Sequence, residues 1–161
     1  MELFFESRTN LGGFAGHLNF VQRKPHIYPE PVLRPDTFAD GAGVTIYGSV
    51  LHDGGKLRMW YHAIPEDWDY QRDMSSIAYA ESSDGIHWTK PDLDLFDYNG
   101  IAPTNIVMLS NGGYSDRYAN SVLVDPRDPD PARRYKMATY DFTVDAEGIE
   151  RPGLVLSLIH I

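Results

Sequence analysis

Carboxylates recur in this 161-residue chain beside aromatic, amide and guanidinium groups: Asp36 and Asp40, the surroundings of Trp68, Asp116 with Arg117, Tyr118 and Asn120, and Asp141 after Tyr140. Two carboxyl groups flanking a glycosidic bond, one protonated and one ionised, can hydrolyse it, and a separation of roughly 5 to 9.5 Å decides between retention and inversion. Aromatic rings stack on the C–H faces of sugars while acids and amides bond their hydroxyls. On that chemistry Asp36, Asp40 and Asp116 are the catalytic candidates. His62, Trp68, Arg117, Tyr118, Asn120 and Asp141 are the candidate substrate-binding residues. Asp116 beside Arg117 suits a base, nucleophile or charge stabiliser, because a neighbouring cation favours the ionised form. The acid needs a more buried carboxyl with a raised pKa, which is expected outside this sequence. Each Asp also has a plainer reading, as a loop residue closing an Asx-turn.

The elements that must position these residues are strands. Residues 44–51 are rich in β-branched and aromatic types, His52-Asp53-Gly54-Gly55 has turn chemistry, and residues 56–63 answer as a second strand. Residues 75–82 form a third, and 86–89 a short fourth entered through Ser83-Asp84-Gly85. Ser121-Val122-Leu123-Val124-Asp125 then repeats Ser49-Val50-Leu51-His52-Asp53 at an offset of 72 residues. Residues 134–142 stand where 56–63 stood, and 153–157 stand where the third strand stood. Repeated four-stranded antiparallel sheets with long connections predict an all-β fold, a fragment of about two blades of a β-propeller. Residues 1–43 read as a proline-containing lead-in, 44–109 as the first blade with its connection, and 110–161 as a second blade cut short in its third strand. The closing residues 156–161 read either as an apolar strand or as sequence foreign to the fold.

Strand direction sorts the loops between two rims. Asp53, Asp84, Asp125, Asp128 and Asp130 fall in turns at one end, where Asp caps its own backbone. Asp36, Asp40, Asp69, Asp73, Asp116 and Asp141 fall at the other, with His62, Trp68, Tyr70, Arg117, Tyr118, Asn120 and Tyr140. That end is the expected mouth.

Composition narrows the partners. Fourteen basic residues against 23 acidic give a net charge of −9 with no basic run, so nucleic acid and anionic membrane are poor partners. Cysteine is absent, which removes disulfides and thiolate metal sites, and the six histidines lack ligand spacing. No metal and no cofactor is expected. Neither a signal peptide nor an apolar run of spanning length stands out, and the compartment is left open.

The run GSVLHDGGKLRMWYH at 48–62, then AYAESSDGIHWTKP at 78–91 and SVLVDPRDPDPARRYKM at 121–137, resembles the five-bladed propeller glycoside hydrolases of families 32 and 43. It is most similar to bacterial proteins with a domain like the family 32 N-terminal one, over most of the chain to about Val155. The resemblance implies a propeller and a carbohydrate substrate. It does not carry the catalytic residues over. Where characterised members have an Asn-Asp-Pro-Asn-Gly nucleophile motif, this chain has Ile46-Tyr47-Gly48-Ser49, and Tyr118-Ala119-Asn120 stands in the place of their Arg-Asp-Pro motif. Arg127-Asp128-Pro129 follows its strand and lies in a turn of the opposite rim. Two readings follow: a glycoside hydrolase-like propeller, and a non-catalytic propeller module that binds glycans or a protein.

Overall fold

The computed structural model describes residues 23–68, 75–109, 120–144 and 146–159. Within them the chain is all-β, built as two antiparallel sheets with one 3-10 turn at Pro131–Arg133. Gly43–Thr45 (β1) and Val50–Asp53 (β2) both pair with Lys56–Ile64 (β3), the central strand of the first sheet. Gly54 and Gly55 join β2 to β3 with positive φ of 61° and 78°, the backbone that a two-residue hairpin turn demands. Ser76–Ser82 (β4) lies on the other side of β3, and its free edge takes Trp88–Thr89 (β5) and Ile106–Met108 (β6). The second sheet is a meander of Ser121–Val124 (β7), Tyr135–Val144 (β8) and Glu150–Ile159 (β9).

The strands expected from the repeat hold the same register. Val50↔Met59 and Leu51↔Arg58 in the first sheet recur as Val122↔Met137 and Leu123↔Lys136 in the second. Trp60↔Tyr79 recurs as Ala138↔Leu156. Two details differ from expectation: the strand predicted over 44–51 is broken into β1 and β2, and the short fourth strand begins at Trp88. Within the connection, Ile106–Met108 docks on β4 as β6.

Side chains alternate across a strand, so β3 divides its residues between two cores. Trp60, with Tyr79 and Ile77 beside it, packs against Val122, Tyr135 and Met137 of the second sheet. Met59, Tyr61 and Ala63, with Ala78 and Ala80, face the other way and are covered by Leu33, Val44 and Trp88. Trp60, Tyr61, Ile77 and Tyr79 are fully buried, each burial stabilising the fold by about 1.5–3 kcal/mol.

The break between β1 and β2 is where the second sheet attaches. The backbone N–H of Asn120 donates to the Tyr47 carbonyl at 2.9 Å, and that of Val122 to Ser49 Oγ at 2.8 Å. Gly48 makes the approach possible, since a Cβ there would come within 2.8 Å of both side-chain atoms of Asn120 and would also lie 1.9 Å from the Trp60 carbonyl oxygen of its own sheet. At the hairpin end, Asp53 accepts from Tyr135 Oη at 2.5 Å and from the Arg134 guanidinium, with Arg58 Nε 3.7 Å away. Asp53 was expected to cap its own turn. Instead it ties one sheet to the other, with its side chain 13% exposed.

Replacing Asp53 by Asn keeps the shape but removes the charge that Arg134 and Tyr135 face, and should lower stability by about 2 kcal/mol in urea unfolding. Asp125→Asn, at the repeat-equivalent but more open turn, should cost much less. Equal losses from the two variants would mean that the joint between the sheets lies elsewhere.

Candidate functional site

The surface between the two sheets changes character along its length. Asp53, Arg58, Tyr79 and Tyr135 make the hairpin end charged, and Arg58 Nη1 donates to Tyr79 Oη at 2.6 Å. Burial pushes the Tyr79 hydroxyl up to about 12 in spite of the guanidinium beside it. The middle is apolar, with Trp60 packed between Tyr79 and Tyr135 at 5.5 Å from each. At the far end the alternation that buries Trp60 and Met137 brings His62 on β3 and Thr139 and Asp141 on β8 to the same interior. Ser75 enters from just before β4 and Asn120 from just before β7; all five residues are buried.

Asn120 stands apart within this group. Its backbone N–H is bonded, but its side-chain oxygen and nitrogen are both buried without a hydrogen-bond partner. The amide lies over Gly48, where an added Cβ would come within 2.8 Å of both atoms. A buried amide left unpaired costs on the order of 1–3 kcal/mol. Satisfying both atoms takes a group that accepts and donates at once, as a hydroxyl does. His62, Ser75 and Asp141 each have a neighbour that engages them.

Asp36 and Asp40 lie on the other side of β3, in a separate network. The fully buried Asp40 carboxylate accepts from Thr37 N at 2.9 Å, Thr37 Oγ1 at 2.7 Å, Tyr61 Oη at 2.9 Å and Lys90 Nζ at 2.6 Å. Lys90 also binds Asp36 and the Arg34 carbonyl, and Asn105 Nδ2 donates to Tyr61 Oη at 2.8 Å. Burial acts to raise the Asp40 pKa, but the donors from Lys90, Thr37 and Tyr61 outweigh it and hold the carboxyl below 3.8. Burial, then the Asp40 charge, drives the Tyr61 hydroxyl well above 10. With its lone pairs occupied, Asp40 is an ionised tie between the lead-in, β3 and the segment after β5. Asp36 is exposed and borders an open groove of about 540 Å³ with Leu33, Arg34, Trp88 and Lys90.

Trp68 is exposed beyond the end of β3, and Asp116, Arg117 and Tyr118 lie outside the described residues. Asp69, Tyr70 and Asp73 do too. Of the candidates, His62, Asn120 and Asp141 therefore share one interior, while the exposed Asp36 and the buried Asp40 share Lys90 on the other side of β3. Lys90, Tyr61 and Asn105 carry the second network and were not singled out from the sequence. Lys90 is 50 residues from Asp40, and no local pattern links them. The turn aspartates behave locally: Asp84 Oδ1 accepts from the N–H groups of Ile86 and His87, and Asp130 from that of Ala132. Among the described residues, no group of three or more His, Asp or Glu is arranged to hold a metal ion, and no helix is long and apolar enough to cross a membrane.

The Asp40 tie predicts a pH dependence of definite sign. Its folded pKa lies below the unfolded value near 3.8, so its contribution is complete above that pH and is lost as pH falls through the folded pKa. Asp40→Asn should be less stable at pH 7, and its urea midpoint should fall less than the parent's as the solution is acidified below about pH 4. Parallel curves for the two proteins would rule the tie out. Comparison of the chain with protein-family models, with curated proteins and with solved structures gives no match, so the reading of both networks rests on their own residues.

Proposed function

We propose that the two sheets are neighbouring blades of a five-bladed-type β-propeller, and that the protein takes carbohydrate at the end of the blades where Asn120, His62 and Asp141 meet. The observation that carries the proposal is the buried Asn120 amide with neither atom paired. Most buried polar groups are satisfied, and an amide with both its oxygen and its nitrogen unpaired, beside a Gly that makes room for it, is suited to a ligand hydroxyl. The repeated register, the face-to-face stacking and the polar end opposite the hairpin turns support the blade reading. Trp68, exposed at the same end of β3, offers a stacking surface.

Hydrolysis requires two carboxyl groups at one glycosidic bond. Asp141, buried on the same interior face as Asn120, and Asp116, in the approach to β7, are the pair this reading assigns to it. Asp40 is occupied by Lys90, Thr37 and Tyr61, and this favours a second reading, a propeller that binds glycans without cleaving them.

The test separates stability from binding. Asn120→Ala removes an unpaired buried amide, so it should leave the melting temperature unchanged or raised while weakening oligosaccharide binding by about tenfold or more. Tryptophan fluorescence across a panel of neutral oligosaccharides reads the binding. A destabilised Asn120→Ala that binds as the parent does would sink the proposal. Release of reducing ends that Asp116→Asn abolishes, at unchanged melting temperature, selects the hydrolase; binding with no release selects the binding module.

A further inference from the structure

Among the described residues one asparagine precedes a glycine, at Asn99-Gly100. Tyr98 and Ile101 exchange both backbone hydrogen bonds, at 3.0 and 2.9 Å, so the two residues between them form the tip of a tight hairpin. Their φ angles of 52° and 77° are left-handed, a region that Asn and Gly tolerate. Both are exposed, and the space where a Gly100 side chain would stand is open. Tyr98 anchors the hairpin, buried with Ala39 and Ile106 and with its ring 5.8 Å from that of Phe38. Asp67 ties it to the turn after β3: Asn99 Nδ2 donates to Asp67 Oδ2 at 3.2 Å, and Tyr98 Oη to Asp67 Oδ1 at 3.5 Å. Trp68 follows Asp67 in that turn.

We propose that Asn99 is a self-modification site, an asparagine that converts in water to aspartate and isoaspartate at a rate that Asp67 restrains. The Gly100 backbone nitrogen gives its proton to solvent and bonds to Asn99 Cγ. The Cγ–Nδ2 bond breaks, and the side-chain nitrogen leaves as ammonia after regaining a proton from solvent. Water then opens the five-membered imide at either carbonyl, giving aspartate or, with the main chain rerouted through Cβ and Cγ, isoaspartate. One water is consumed, one ammonia is released, and nothing is oxidised. Gly100 favours the first step, because no side chain shields its nitrogen. The Asp67 bond opposes it, because Cγ must swing toward the Gly100 nitrogen and the departing nitrogen is the atom that Asp67 holds. The product sets a second carboxylate against Asp67, so repulsion replaces an attractive bond. The tie between the hairpin and the Trp68 turn is then lost in one direction only, whether or not the protein binds sugar.

The full chain, held at mildly alkaline pH and body temperature, should release ammonia and accumulate isoaspartate at residue 99. Fragmentation mass spectrometry separates that position from Asn111, which lies outside the described residues. Asp67→Ala should raise the rate by about threefold or more, the worth of one hydrogen bond, and the chain unfolded in urea should react fastest. Asn99→Asp carries the product charge without the reaction. It should speed amide exchange at Tyr98 and Ile101 by about threefold or more, and Asp67→Asn in the same chain should restore protection by exchanging donor and acceptor. Absence of isoaspartate at residue 99 after weeks overturns the proposal. So does a rate in Asp67→Ala, or in urea, no higher than the parent's, and so does unchanged amide exchange in Asn99→Asp.

Discussion

A single carboxylate on a hairpin turn holds the two sheets in place. Asp53 closes the turn between β2 and β3, yet its oxygens are taken up by Arg134 and Tyr135 from the other sheet. Its side chain is mostly shielded, so the charge-assisted bonds act where water competes least. Breaking one partner leaves charge stranded between apolar layers, a larger loss than the net worth of the intact pair. The sheets could slide along their apolar middle, because dispersion and burial are non-directional. The Asp53 joint and the attachment of β7 at Tyr47 and Ser49 remove that freedom at two separate points.

Fixing both ends leaves the intervening surface graded. The middle is closely packed around Trp60, and the ionic corner near the hairpin sets Asp53 against Arg134 and Tyr135. At the remaining end the interior turns polar again through His62, Thr139, Asp141 and Asn120, and one amide stays unpaired. Stability and recognition are divided between opposite ends of one interface, which is why the carboxylates can be sorted by what they face. Asp40 and Asp53 face cations of their own fold. Asp141 shares the interior that holds the unpaired amide.

The strands were legible because their cues are local. Two glycines after Asp53 define a hairpin, alternation gives the faces, and the Ser-Val-Leu recurrence sets the register of both sheets. Asp84 could be read as a turn residue for the same reason, since its bonds stay within three residues of it. Contacts between distant residues were not legible. Strand direction puts Asp40 and His62 at the same end of the sheet, but it is silent on which side of β3 each takes; Asp40 joins Tyr61 on one side and His62 follows Trp60 on the other. Asp53 was read as a turn cap because nothing adjacent in sequence announces Arg134 and Tyr135. The break at 46–49 looked like continuous strand, since Gly48 shows its purpose only beside the Trp60 carbonyl and the Asn120 amide.

The break at Gly48 also has a kinetic side. The β2–β3 hairpin closes over two residues, whereas Asn120 and Val122 must return across more than 70 residues to reach Tyr47 and Ser49. Loop-closure entropy grows with the length enclosed, so the hairpin assembles early and the long return comes late. On a chain emerging from the ribosome, the first sheet is then a finished template waiting with its notch open. The second sheet has one place to nucleate, and the order of synthesis becomes the order of assembly.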